Sequence, residues 1–188
     1  MNIFYLHKCV NKCAKYHVDK HVVKMILEYC QLLSTAHRVI DGKEIMTKSK
    51  TGKNVKRWIL NNELNELIYS ATHINHPSAI WVRESSLNYE WLHELLKELC
   101  KEYTYRYGKI HKSESSGLVK ILEDKPKSIL HGNFTEPALA MPNECKVEGN
   151  ALQSYRNYYL MKKQHIATWH GKLNMSKDQI PSWFQFTT

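Results

Sequence analysis

The sequence predicts a mainly α-helical fold in a single domain spanning residues 1–188, with about five helices behind a short N-terminal extended segment. Three observations carry this expectation. Two long segments, 12–39 and 86–107, repeat apolar residues at the three- and four-residue spacing of a helix face. Each ends at a helix-stop signal, Asp41-Gly42 for the first and Gly108 for the second. A chain of 188 residues is long enough to close a hydrophobic core without disulfide staples.

Taken in order, MNIFYL is a brief run of β-forming residues and reads as extended. A helix is expected from about Lys12 to Val39, then an exposed polar loop over 43–53. A second helix should cover Asn54 to His73 through Trp58, Ile59, Leu64, Leu67 and Ile68. Pro77 pushes His76 out of helical geometry, so INHPSAIWVRES reads as a turn. A third helix runs from Ser86 to Tyr107 on the stripe Leu87, Trp91, Leu95, Leu96, Leu99 and Tyr103, with Gly108 as its cap. A short fourth helix is placed at Ser116–Leu122. Residues 123–149 have no sustained period, but Ile129, Leu130, Phe134, Leu139 and Met141 give them apolar anchors, so order is expected. The last helix is placed at Asn150–Trp169 with Asn150 as N-cap, and Trp183 and Phe184 of the tail should dock on the body.

Composition narrows the function. The net charge of +9 and a pI near 9.2 favour a polyanionic partner, whose neutralised phosphates release condensed counterions. No apolar run approaches the roughly 20 residues of a membrane span, so no membrane partner is expected. The N-terminus is charged too early for a signal peptide, and five cysteines are an odd count, which together favour an intracellular, reducing setting with free thiols. There is no Walker loop, GxGxxG, HExxH, GxSxG or zinc-finger spacing, which argues against the usual nucleotide hydrolases, dinucleotide enzymes and α/β-hydrolases.

The candidate site is a polar stripe on the first long helix. On a helical wheel His17, His21, Lys24, Glu28, Gln31, Thr35 and Arg38 share roughly 100° of arc, and Lys20 lies at its edge. The rest of the cylinder is apolar (Val18, Val22, Met25, Ile26, Tyr29, Leu33, Ala36). Solvent faces elsewhere in this chain are mostly lysine and glutamate, as in KELCKE. Two histidines, a lysine, a glutamate and an arginine on one line suit a cleft for acid–base or phosphate chemistry, although a plain solvent face stays open. Asp19 projects off the stripe near the helix start, where a carboxylate benefits from the macrodipole.

Cys9, Cys13, His17 and His21 are spaced by four and are competent zinc ligands. On one continuous helix, however, the first and last would stand about 18 Å apart, far beyond a single ion's reach. No metal and no cofactor are expected. His76, Trp81 and Arg83 in the Pro77 turn, and Tyr155, Arg156, Tyr159 and Lys163 in the last helix, combine aromatic and basic groups as nucleic-acid surfaces do. A core connector and a solvated basic face are the plainer alternatives.

The motifs YHVDKHVVKMILEYCQLLSTAHR, HPSAIWVRES, PALAMP and YRNYY with Lys163 downstream resemble a family of viral proteins described as pyrimidine-dimer DNA glycosylases or endonuclease V-like. The resemblance runs from Met1 to the terminal PSWF. It implies a helical enzyme that binds damaged duplex DNA, makes a base accessible and cleaves a base–sugar bond in viral repair or modification, in the cytoplasm of an infected cell. It also implies a hydrolase or lyase in which an amine attacks the sugar C1′ to form an imine while a glutamate assists.

Carried onto this chain, Asn2 is expected to leave Met1 in place, so the nucleophile is the Met1 amine or a lysine, Lys20 or Lys24. Glu28 is the first choice for the carboxylate and Asp19 the second, with His17 and His21 polarising or moving protons. Lys24, Arg38, Arg83 and Arg156 are assigned to phosphates. Two alternatives stand beside this reading: a non-catalytic nucleic-acid-binding protein, and a base- or nucleotide-modifying transferase on a related scaffold. The oligomeric state is not legible.

Overall fold

The computed structural model describes residues 1–172 and 180–186. The chain is mainly α-helical, as expected, but its helices are more numerous and shorter than the periodicity implied. Among the described residues the order is α1 (Val10–Tyr16), α2 (Asp19–Asp41), β1 (Lys43–Lys48), β2 (Asn54–Ile59), α3 (Leu64–Leu67), α4 (Pro77–Glu84), α5 (Ser86–Tyr107), α6 (Lys112–Ser115), α7 (Leu118–Ile121) and α8 (Ala151–Lys162). Single 3₁₀ turns stand before α8 at Asn143–Cys145 and after it at Gln164–Ile166.

The core is built on α2 packed against α5, with α1 and α4 on the same partners. Along α2, Val22, Met25, Ile26, Tyr29, Cys30, Leu32, Leu33 and Ala36 are all buried. They meet Leu92, Leu95, Leu96, Leu99 and Cys100 of α5. Cys30 and Cys100 act as small core residues, and all five thiols are unpaired. Residues Ile3 to Leu6 run extended through this core without a sheet partner, and all four are buried. Their backbone groups are satisfied by side chains instead: the Phe4 amide donates to Tyr29 Oη (3.3 Å) and the Cys13 thiol donates to the Phe4 carbonyl (3.2 Å).

Helix α5 has the predicted bounds. Ser85 caps its start through Asn88 N, and Gly108 ends it in the left-handed region at φ 62°. Five other expectations need correction. The first long helix is two helices, because His17 and Val18 are extended (ψ 132° and 155°), and the single wheel therefore does not extend back to His17. Residues 43–59 are a hairpin and not a loop followed by a helix; KEIMTK and NVKRWI pair antiparallel, Lys43 opposite Ile59 through Lys48 opposite Asn54. Pro77 begins a helix rather than interrupting one, since its missing N–H costs nothing at N1. The helix expected at Ser116–Leu122 is reduced to α7, because Gly117, at φ 81°, stands before its first residue, and α6 is a separate turn upstream. The last helix is also shorter than expected, ending at Lys162, but Asn150 caps it through Gln153 N (2.9 Å). Phe184 is buried and Trp183 half-buried beside Tyr159 and Arg156, so the tail docks as expected.

Candidate active site

The break between α1 and α2 is held by one buried cation. Arg106, fully buried on α5, donates to the carbonyls of Lys15 and His17 (both 2.9 Å) and to Asp19 Oδ1 (2.8 Å), while its Nε donates to Glu102 (2.7 Å). Asp19 also accepts the amides of His170 (3.1 Å) and Gly171 (3.2 Å). Its carboxylate is thus saturated by structural donors, which removes the basis for a catalytic role.

From this break α2 sets out with His21, Lys24, Met25 and Glu28 along one side of a recess of about 220 Å³. The buried N-terminal segment supplies Met1, Asn2 and Phe4, and Ala140, Tyr158 and Lys163 close the opposite side. Asn2 fixes the chain start: its amide nitrogen donates to the Ala140 carbonyl (2.8 Å), and its Oδ1 accepts the Ile3 amide (2.8 Å) and the Tyr155 hydroxyl (2.9 Å). With Asn2 pinned, the Met1 amine stands 4.0 Å from Glu28 Oε2, and Lys24 Nζ stands 3.1 Å from Glu28 Oε1. Lys163 Nζ lies over the Tyr158 ring at 4.6 Å. One half-buried carboxylate therefore faces two amines, with a third cation on the far wall. Two larger recesses, of about 490 and 700 Å³, also set carboxylates beside lysines (Glu98 and Glu102 with Lys15 and Lys101; Asp41 and Asp124 with Lys125 and Lys127), but neither contains the α-amine of Met1.

His21 forms the floor. Its ring stacks on Phe4 (centroids 4.1 Å apart, 16° between planes), and its Nδ1 is 2.7 Å from Tyr159 Oη. Burial above all, with the neighbouring His17 and the charges of Lys163 and Lys24 adding to it, pushes its pKa down to about 2. His17 is buried behind this floor and does not reach the recess. Its Nδ1–H donates to the Cys13 carbonyl (2.8 Å), which leaves Nε2 to accept from Tyr29 (3.2 Å). Burial lowers its pKa to about 4, so it is neutral in the fold. Neither imidazole is a proton donor near neutral pH, contrary to the proton-transfer roles assigned from sequence.

A stability consequence follows from both shifts. Unfolded histidines bind a proton near pH 6.5, whereas these two stay neutral in the fold down to about 4 and about 2. The unfolded state therefore binds more protons, and stability is full above about pH 6.5 and falls as pH drops below it, by up to about 1.4 kcal/mol per pH unit for each group. The urea midpoint should decline steadily from pH 7 to pH 4.5, and His21→Asn should show the shallower decline.

Other residues assigned from sequence lie outside the recess. All five guanidinium N–H groups of Arg38 are used on the carbonyls of Trp58, Asn65, Ile68 and Tyr69 and on Asn65 Oδ1 (2.6–3.0 Å), so none is left for a phosphate. Trp81 is buried and donates to Thr135 (3.0 Å). Tyr155 and Tyr159 are buried, behind Asn2 and His21. Arg83 turns back on the Ala79 carbonyl (3.0 Å), and Arg156 reaches the Leu6 carbonyl (3.2 Å) and packs on Trp183. Lys20 is exposed and not part of the recess. His76 caps α4 through Ser78 N, yet it stands where the Met1 amine and Glu28 both act on it; burial is the larger cause of its lowered pKa.

Among the described residues no three histidine, cysteine or acidic side chains are grouped so as to hold a metal, and no helix is long and apolar enough to cross a membrane. A family profile described as pyrimidine dimer DNA glycosylase matches residues 1–115, well over half the chain and including Met1, His21, Lys24 and Glu28. The chain belongs to the pyrimidine dimer DNA glycosylase family. No curated protein and no solved structure matches it. Within this family member, Ala140, Tyr158 and Lys163 lie beyond the matched region, so part of the recess wall is built by the chain's own C-terminal portion.

Sequence reasoning missed Asn2, Phe4, Arg106 and Tyr158. The buried extended N-terminus carries no periodic signal, and Arg106 looks like any last-turn cation. Only Tyr158 was visible, within the YRNYY motif.

Proposed function

We propose that this protein is a DNA N-glycosylase that removes damaged or modified pyrimidines and cleaves the resulting site as a lyase, with the Met1 amine as nucleophile and Glu28 as the assisting carboxylate. The observation that carries the reading is the Met1 amine held 4.0 Å from Glu28 in a recess that also contains Lys24 and Lys163. Among the amines of the recess, the Met1 amine is the one fixed in place by its neighbour Asn2 on a largely buried residue, whereas Lys24 is mostly exposed on a long stem.

The neutral amine adds to C1′ as the glycosidic C1′–N bond breaks. The departing pyrimidine takes up a proton from solvent water, and the amine's proton passes to Glu28. Glu28 returns it to the sugar ring oxygen as the ring opens to the imine. Lys24 and Lys163 hold flanking phosphates, and His21 with Phe4 forms a rigid neutral floor. The duplex must present the base or sugar outside the stack to reach a recess this small.

Borohydride reduction during incubation with ultraviolet-irradiated and abasic duplexes tests the proposal. A covalent adduct mapped to the Met1 peptide is expected. Adduct at Lys24 or Lys20 reassigns the nucleophile, and no adduct with either duplex overturns the imine mechanism in favour of non-catalytic binding.

A further inference from the structure

The β1–β2 hairpin has no place in the recess and almost none in the core. Both of its faces are largely exposed, and along its two strands only Thr47, Val55 and, at the root, Trp58 and Ile59 are half-buried. A two-stranded hairpin with nothing packed on it is marginal in water, so its composition is not explained by folding. Residues 43–59 carry six basic side chains and one acidic, a net +5 of the chain's +9. Glu44 is already paired with Lys56 at 2.7 Å. The basic residues Lys48, Lys50 and Lys53 cluster around the tip, which is closed by Ser49 N donating to the Lys53 carbonyl (2.8 Å) and turned by Gly52 at φ 79°.

Lysines along an exposed strand also discourage edge-to-edge aggregation. Tip lysines guard no strand edge, so that role leaves Lys50 and Lys53 unaccounted for.

The hairpin is tied to the recess. Arg38 grips its root through the Trp58 carbonyl and grips the returning segment through Asn65, Ile68 and Tyr69. That segment then follows α2 backwards, bonding Thr72 to Thr35, and reaches His76, which lies within electrostatic range of the Met1 amine and Glu28. From Glu28 to Arg38 is ten residues of α2, about 15 Å of axis. That distance corresponds to roughly four or five base pairs of duplex at about 3.4 Å each.

We infer that the β1–β2 hairpin is a second DNA contact, an arm whose tip lysines Lys48, Lys50 and Lys53 seat on phosphates of the duplex flanking the nucleotide in the recess. The inference rests on the DNA-processing reading above. A two-stranded ribbon fits the major groove of B-DNA, and the exposed part of the arm has no aromatic ring on which unpaired bases would stack, so the partner is duplex rather than single strand.

The test is duplex binding by the full chain as a function of salt, using an undamaged and an abasic duplex of about 25 base pairs. Lys48→Gln/Lys50→Gln/Lys53→Gln should fold as the parent does, since these side chains are exposed. It should flatten the slope of log K against log salt by about 3, near 0.9 per lost phosphate contact, and weaken binding more than tenfold at about 0.1 M salt. The Lys→Arg triple variant should keep both slope and affinity, and Lys109→Gln/Lys112→Gln/Lys146→Gln, the same charge change elsewhere, should flatten the slope far less. A tip variant whose slope and affinity match the parent's overturns the arm while leaving the recess reading intact. Equal loss on a single strand of the same length overturns the duplex assignment. If the parent binds neither duplex, the DNA reading and the arm fall together.

Discussion

Glu28→Gln should bind abasic duplex within about threefold of the parent yet form the reducible imine roughly 10²- to 10⁴-fold more slowly, the usual span for loss of a positioned acid–base group. The expectation follows from position. Glu28 is the carboxylate that lines the recess, and it faces the Met1 amine at 4.0 Å and Lys24 at 3.1 Å. Glutamine keeps the shape but cannot carry a proton from the attacking nitrogen to the sugar. A collapse of the fold would confound the result, but it is not expected. Lys24 is mostly exposed, so its pair with the largely covered Glu28 contributes about 0–1 kcal/mol, and glutamine still presents an amide oxygen to the Met1 amine.

Single-turnover kinetics with enzyme in excess separate the two effects, because saturating binding leaves only the chemical step. Lys24→Gln is the companion variant. If Met1 is the nucleophile, it should cost less than about tenfold in rate and appear mainly as weaker, less salt-sensitive binding. Complete loss of the adduct in Lys24→Gln with a normal adduct in Glu28→Gln would invert both assignments.

The part of the site visible in the sequence is the part written within one helix. His21, Lys24 and Glu28 are three and four residues apart, and that spacing alone puts them on one side of α2. The same wheel overreached at both ends. At the start, nothing in YHVD signals a break, because the break is imposed from α5: Arg106 captures the Lys15 and His17 carbonyls that a continuous helix would have used. At the far end Arg38 keeps its place on the stripe, but the stripe there is roofed by residues 60–76 and is interior.

Met1 and Lys163 reach the recess only through tertiary packing, so no local pattern could have joined them to Glu28. The fold shows the same division. Helix α5 was legible to the residue because its period, its Ser85 cap and its Gly108 stop are all local. Residues 54–73 were not: NVKRWI is short enough to suit either period, and what decides it is pairing with KEIMTK across a five-residue turn.

Arg106→Met should be the most destabilising single substitution named here, by about 3–5 kcal/mol, because it strands two carboxylates and two carbonyls in the interior. Arg106 is fully buried, Glu102 nearly so, and Asp19 largely covered, while every nitrogen of the guanidinium has a protein acceptor. For a chain of this size the loss amounts to a fall of about 10 °C in Tm. Arg106→Lys should recover little of it, since one ammonium cannot span acceptors on α1, the break and α5 in the guanidinium's planar fork.

The effect should divide in a way that reveals its origin. Arg106→Met/Glu102→Leu removes one of the stranded charges together with the arginine, so it should be more stable than Arg106→Met alone; a double variant that is less stable would refute the buried-charge account. Asp19→Asn should be milder than Arg106→Met, since the amide oxygen can still accept from His170 and Gly171. The same substitution bears on the recess. Arg106 holds the turn that launches α2, and His21 lies four residues beyond His17 on that trajectory. Arg106→Met should therefore also slow imine formation below its unfolding temperature while Glu28 and Met1 are both intact, which separates the placement of the site from its chemistry.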